Sequence, residues 1–305
     1  MIRRTFSGSP WSKNTGSQSP ISSAAWQRRV NTTFSAPRLE ISVSPIGKTK
    51  EIPEEKLKGY AQMILSTLQQ FLAPFKSPIL FAPSHRRDKN FAALKFGLVD
   101  HATIHSWSAG QETSFWGGYF AGRILLNIEM FSSSEITRII LHETHHALLD
   151  FLLPDVEAND NQGALSHEVT KILLDHRERQ FLKCGLGPIN NFAARTDDSL
   201  SQSEFELTKE EIKKILKNFV SLYALAGGHG SQLEGKSLDG STVSPMAAEE
   251  LLVDSWAYFI CDPKRLHLRD PKLFWAIHDL EAFIAHHQTL THENLRMILA
   301  RHLTP

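Results

Sequence analysis

Apolar residues recur at helical spacing through residues 53–71, where Leu57, Ala61, Ile64, Leu65, Leu68 and the following Leu72 fall on one stripe. That pattern predicts an amphipathic helix. Short apolar runs at residues 79–82 and 91–98 read as strands, and residues 102–107 as a third. Residues 119–128 (YFAGRILLNI), after the Gly117-Gly118 break, make the clearest strand pattern. The next segment, FSSSEITRIILHETHHALLDFL, returns to helical spacing with Ile136, Ile139, Ile140, Ala147 and Leu148 on one side. Ser132 or Ser133 can cap it.

From there on the pattern is helical. Residues 164–184 form one segment, which Gly185 ends. Thr208 and Glu211 make a capping box for a helix expected to end near Ala226, and residues 227–240 read as a loop. Ser244 followed by Pro245 opens a helix over residues 246–260. Asp270-Pro271 repeats the signal for residues 272–287, and Thr291 opens the last helix. There is no internal repeat. The expected class is α+β, a small mixed sheet with a helix followed by a mainly helical C-terminal half.

Composition narrows the function. With 305 residues and 41% hydrophobic content, the chain can build one large core or two smaller ones. Lys plus Arg and Asp plus Glu both total 33, so nothing points to a nucleic-acid partner, which calls for a basic excess. The 15 histidines raise the case for a metal site without locating it. Cys184 and Cys261 are not a Cys-x-x-Cys pair, which excludes a zinc ribbon or redox motif; two isolated buried thiols are expected. No apolar window is long enough for a transmembrane helix, and the N-terminus lacks a Sec-type apolar core.

Residues 1–39 hold six Lys or Arg, eight Ser and no acid. Such a segment is expected to be disordered, with the folded part starting near Pro53. The resulting division is a leader over 1–50 and a domain over 51–305, with the sheet and its helix in 51–150 and the helical part in 151–305. The bias of the leader fits a secreted, translocated bacterial effector, with a mitochondrial transit peptide as the alternative.

The chemistry lies in His142-Glu143-Thr144-His145-His146, an HExxH motif. On a helix, residues i and i+4 share a face, so His142 and His146 can reach one zinc ion. Glu143, beside that face, can take a proton from a water on the metal and pass it to a leaving amine. A catalytic zinc needs a third protein ligand. The HxxGxxH continuation fails, because Leu149 and Leu152 stand at the required positions. The segment AAEELLVDSWAYFICDP offers Glu250, with Asp254 four residues on and able to hold the N–H of a ligand histidine. Glu249 is the rival, with Val253 at the corresponding place.

Together, GGYFAGRILLNIEMFSSSEITRIILHETHHALLD and EELLVDSWAYFICDPKRL resemble the catalytic domain of the anthrax toxin lethal factor-like family of gluzincin peptidases. The resemblance covers about a third of the chain. It implies a zincin fold, His142, His146 and Glu250 as ligands, Glu143 as general base, and a cleft-lining strand ending near Ile128 that pairs with an extended peptide. The chain departs from the family in two places. About 100 residues separate His146 from Glu250, more than the family's few tens. The family's tyrosine before the ligand glutamate is missing from GSTVSPMAA. His229, in GGHGSQ, is therefore a candidate oxyanion donor, with Tyr119 and Tyr258 as weaker ones.

Blander roles are expected for His167, Glu168 and His176 as surface residues, and for His286 and His287 as a polar helix edge. Asp150 reads either as support for the site or as a helix-end carboxylate. The whole reads as a zinc metalloendopeptidase, a monomer acting on a protein or peptide substrate. An organelle-imported housekeeping peptidase and a non-catalytic binding module are the alternatives.

Overall fold

The computed structural model describes residues 32–36, 39–46, 52–72, 94–103, 116–120, 122–153, 164–187, 189, 208–226, 245–287 and 290–305. They divide into two compact units, with the division between Phe151 and Leu152. The class is mixed α and β, mainly helical with a small mixed sheet.

The first unit holds strands β1 (Thr32–Ala36), β2 (Leu39–Pro45), β3 (Leu94–Val99), β4 (Gly117–Phe120) and β5 (Arg123–Asn127). They form one sheet in the order β1-β2-β3-β5-β4. β2, β3 and β5 run parallel, while β1 and β4 pair antiparallel at the two ends. Helix α1 (Glu54–Leu72) joins β2 to β3 and packs against β1 and β2. It buries Leu57, Ala61, Ile64, Leu65 and Leu68, the stripe the spacing predicts.

The structure departs from the sequence pattern in three places. The first is that the sheet starts well before Pro53, inside the stretch expected to be a disordered leader. Ile41 and Val43 are buried while Ser42 and Ser44 are half-buried. This is the period-two alternation of a strand with one covered face, with Ser42 and Ser44 at its outer positions. The second is that residues 119–128 are not one strand. β4 already contains Gly117 and Gly118, and the chain reverses to β5 after Gly122, whose φ of 77° suits glycine. Residues 101–103 form a helical turn, with the Thr103 N–H donating to Asp100 Oδ1 at 2.7 Å, so the strand expected over 102–107 does not begin there; residues 104–107 lie outside the described residues. The strand expected at 79–82 lies outside the described residues.

Gly97 sits in central strand β3, opposite Ser44 and Leu125. A Cβ there would stand 2.1 Å from Ile46 Cδ1 and 2.8 Å from Leu125 Cδ2. Ile46 and Leu125 are themselves buried in a cluster with Val99 and have little room to yield. Gly97→Ala should therefore cost about 1–3 kcal/mol through overpacking. A lowered thermal midpoint with unchanged secondary structure would bear this out, and an unchanged midpoint would contradict it.

Helix α2 (Ile136–Leu152) follows a 3-10 turn at Ile128–Ser132. Asn127 Oδ1 accepts from the Glu129 N–H at the start of that turn, at 3.0 Å. Ser133, one of the two expected caps, accepts from the Glu135 N–H at 3.1 Å.

The second unit is helical: α3 (His167–Leu182), α4 (Lys209–Ile215), α5 (Leu222–Ala226), α6 (Pro245–Cys261), α7 (Pro263–Arg269), α8 (Pro271–His287) and α9 (His292–Leu303). Helix α6 contacts α3, α5, α7 and α8. Its residues 247–258 are buried on every side, Glu249, Glu250 and Asp254 among them. Gly185, at φ 68°, ends the α3 segment, and the Thr208–Glu211 capping box opens α4. Asp270 accepts from the Leu273 N–H at 3.1 Å, and Thr291 from the Asn294 N–H at 3.1 Å.

Here too the pattern needed correction. The helix expected to run from 208 to Ala226 breaks after Ile215. Ser221 then caps a separate α5, accepting from the Ala224 N–H at 2.9 Å. Asp262-Pro263 opens α7 by the same device as Asp270-Pro271, although no helix was expected there. His176 is buried, not at the surface. Its Nε2 lies 2.6 Å from Asp270 Oδ2, while the Gln180 amide donates to Asp270 Oδ1 at 3.0 Å. His167, Glu168, His286 and His287 are exposed as expected. Both cysteines are free thiols, but only Cys184 is buried; Cys261 is exposed at the end of α6, against the expectation of two buried thiols.

Candidate metal centre

The apolar stripe on either side of HExxH makes α2, and the helix fixes the relation of its histidines. His142 Nε2 and His146 Nε2 lie 3.3 Å apart, with ring centroids 5.0 Å apart and planes at 71°. His142 is buried and His146 half-buried. Thr144, between them, turns its hydroxyl back to the Ile140 carbonyl at 2.6 Å. This satisfies a buried hydroxyl within its own helix, without a distant partner.

Glu143 is only 6% exposed. Its near neighbour is the backbone of β4, for a Cβ on Gly117 would stand 3.1 Å from Glu143 Cγ and 3.2 Å from Oε1. Gly117 entered the sequence reading only as a break. It is better understood as a place where strand and helix approach too closely for any side chain.

His145, to which the sequence assigned no role, is fully buried. Burial pushes its imidazole well below the ordinary value, and His142 and His146 push the same way against a bond to Leu141. It is a neutral core residue at neutral pH.

On α6, Glu249 and Glu250 are adjacent and both buried. A step of one residue turns a helix by about 100°, so the two carboxylates point in different directions. Glu249 Oε2 accepts from the Ala164 N–H at 2.9 Å, just ahead of the Ser166 cap of α3. One ligand atom from each of His142, His146 and Glu250 lies within 4.8 Å of the others. The three form a group that could hold a metal ion.

Asp254 is fully buried and accepts from the Ser221 hydroxyl at 2.5 Å. Tyr258 is buried with Arg265 over its ring at 4.8 Å, a core position. Tyr119 donates to Asp150 Oδ2 at 2.5 Å. His229 lies outside the described residues. Among the described residues, no helix is long and apolar enough to cross a membrane.

Compared with known protein families, curated proteins and solved structures, the chain matches none.

Proposed function

We propose that the chain is a zinc-dependent metalloendopeptidase of zincin-like fold, with His142, His146 and Glu250 as ligands and Glu143 as general base. The carrying observation is the convergence of the three ligand atoms. The donor set also fits the metal. Two atoms bound tetrahedrally at about 2.0–2.1 Å stand ~3.3 Å apart, and the two imidazole nitrogens are separated by 3.3 Å. Two neutral imidazoles and one carboxylate are the ligands of a catalytic zinc that keeps its fourth position open.

Bound there, zinc would polarise a substrate carbonyl and acidify a water. Glu143 would take the proton at its carboxylate and return it to the nitrogen of the leaving amine. Its burial beside β4 holds the carboxylate still and keeps bulk water away from it. β4 ends the described sheet, so its outer edge can accept an extended peptide as one more strand. Asp254 would act behind a ligand histidine and His229 as the oxyanion donor. The acid-free, Ser-rich residues ahead of β1 support delivery of the enzyme as a secreted effector.

Zinc per chain, by elemental mass spectrometry, and hydrolysis of fluorescein-labelled casein test this reading. About one zinc per chain is expected, with hydrolysis that stops on chelation and returns with zinc. Chelation should also lower the thermal midpoint, since a ligand at a hundred times its Kd stabilises the folded state by about 2.7 kcal/mol. Protein that refuses zinc would sink the proposal. Protein that holds zinc but cuts nothing would favour a binding module.

A further inference from the structure

β4 meets α2 at two points, both on the same face of the strand, because Gly117 and Tyr119 are two residues apart. At the first, a Cβ on Gly117 would stand 2.9 Å from Ile139 Cγ2 and 3.1 Å from Glu143 Cγ. At the second, the Tyr119 hydroxyl donates to Asp150 Oδ2 at 2.5 Å. On the helix, Ile139, Glu143, His146 and Asp150 follow one another at intervals of four, three and four residues, and so form a single stripe. The strand therefore lies along the stripe that carries the general base and one imidazole of the metal group.

Glu143 and Asp150 are separated by ~10.5 Å along the helix, whereas Gly117 and Tyr119 are separated by ~6.6 Å along the strand. The length of the tyrosine side chain covers the difference. Both contacts can then form together at only one register of strand against helix. β4 is held in the sheet by its antiparallel pairing with β5, so what the bond to Asp150 adds is the seat of the strand against the helix. The strand is four residues long and begins with two glycines, so Tyr119 is the first side chain it offers. Glycine in a strand adds no packing and increases the entropy lost on ordering. The bond runs to a carboxylate and is half-buried at both ends, conditions under which a hydrogen bond is short and strong.

We propose that Tyr119 and Asp150 are a positioning pair: their hydrogen bond locks β4 in the register that sets its backbone against Glu143. The inference rests on the peptidase reading above. Neither residue touches the reacting atoms. Their effect passes through the strand, to the wall that confines the Glu143 carboxylate and to the edge that would align an extended chain.

The test uses the full-length zinc-loaded protein with Tyr119→Phe, Asp150→Asn and the double variant. Zinc content should stay at the parent value. Hydrogen–deuterium exchange at residues 116–120 should rise at least tenfold in each variant, with β3 and β5 unchanged. The kcat for fluorescein-labelled casein should fall about tenfold or more, and the double variant should be no worse than the poorer single, as for residues acting as a unit. Unchanged exchange would overturn the anchor. Faster exchange with unchanged kcat would reduce the bond to a structural one and overturn the positioning role. Losses that add in the double variant would show the two residues acting separately and overturn the pair. A parent chain that holds zinc and cuts nothing would overturn the peptidase reading and the positioning role with it, while the exchange measurement still decides the anchor.

Discussion

Glu143→Gln is expected to slow casein hydrolysis about a hundredfold to ten-thousandfold, the range over which a positioned general base acts, while zinc content stays at the parent value. The substitution keeps the shape of the side chain, and therefore the close approach of β4 at Gly117. What it removes is the capacity to accept a proton, since an amide oxygen is a far weaker base than a carboxylate. Because Glu143 is 6% exposed, replacing its charge by a neutral isostere should leave the fold intact or slightly firmer. Steady-state rates, zinc content and far-ultraviolet circular dichroism on one preparation decide the matter. A variant that still cuts at the parent rate would remove Glu143 from the mechanism, and one that loses zinc would make it a ligand.

Glu250→Ala should abolish stoichiometric zinc. Loss of an outer partner of a metal ligand already weakens binding about 10–100-fold, and removal of one of three ligands should cost more. Glu250 is 6% exposed, so truncation also leaves a small void. Glu250→Gln, which keeps the volume but offers a poor zinc ligand, separates loss of metal from loss of fold. The neighbouring Glu249→Ala is the control with the opposite signature. Its carboxylate accepts the Ala164 N–H, so that variant should keep zinc and lose about 1–3 kcal/mol of stability, the cost of stranding a donor. If Glu249→Ala loses zinc and Glu250→Gln keeps it, the third ligand has been assigned to the wrong glutamate.

Signals that act within one helical turn were legible without a structure. The i,i+4 spacing of His142 and His146, the Thr208–Glu211 capping box, the Asp270 and Thr291 caps and the Gly185 stop each need only their own neighbourhood. Other local signals were present but outweighed. The alternation Ile41-Ser42-Val43-Ser44 marks a strand, yet it follows closely on the acid-free, Ser-rich residues 1–39, and that composition outweighed it. Ser221 and Asp262 were caps in plain view, covered by the assumption of a longer helix in one case and no helix in the other.

By itself, then, the sequence determined that α2 presents two imidazoles and a glutamate at the spacing a metal-activated water needs, and that an acidic pair follows on a later, strongly apolar helix. Only the tertiary structure set a ligand atom of Glu250 within 4.8 Å of those of the histidines and the Glu249 carboxylate on the Ala164 N–H, because adjacent helix positions differ by about 100°. It also decided that His176 is buried against an aspartate 94 residues away. It brought Gly117 against Glu143, and it tied Tyr119 to Asp150 across 31 residues. Partners that far apart in sequence leave no periodic trace. What selects them is the free energy of satisfying a polar group at the moment it is buried, and burial belongs to the folded chain rather than to any segment of it.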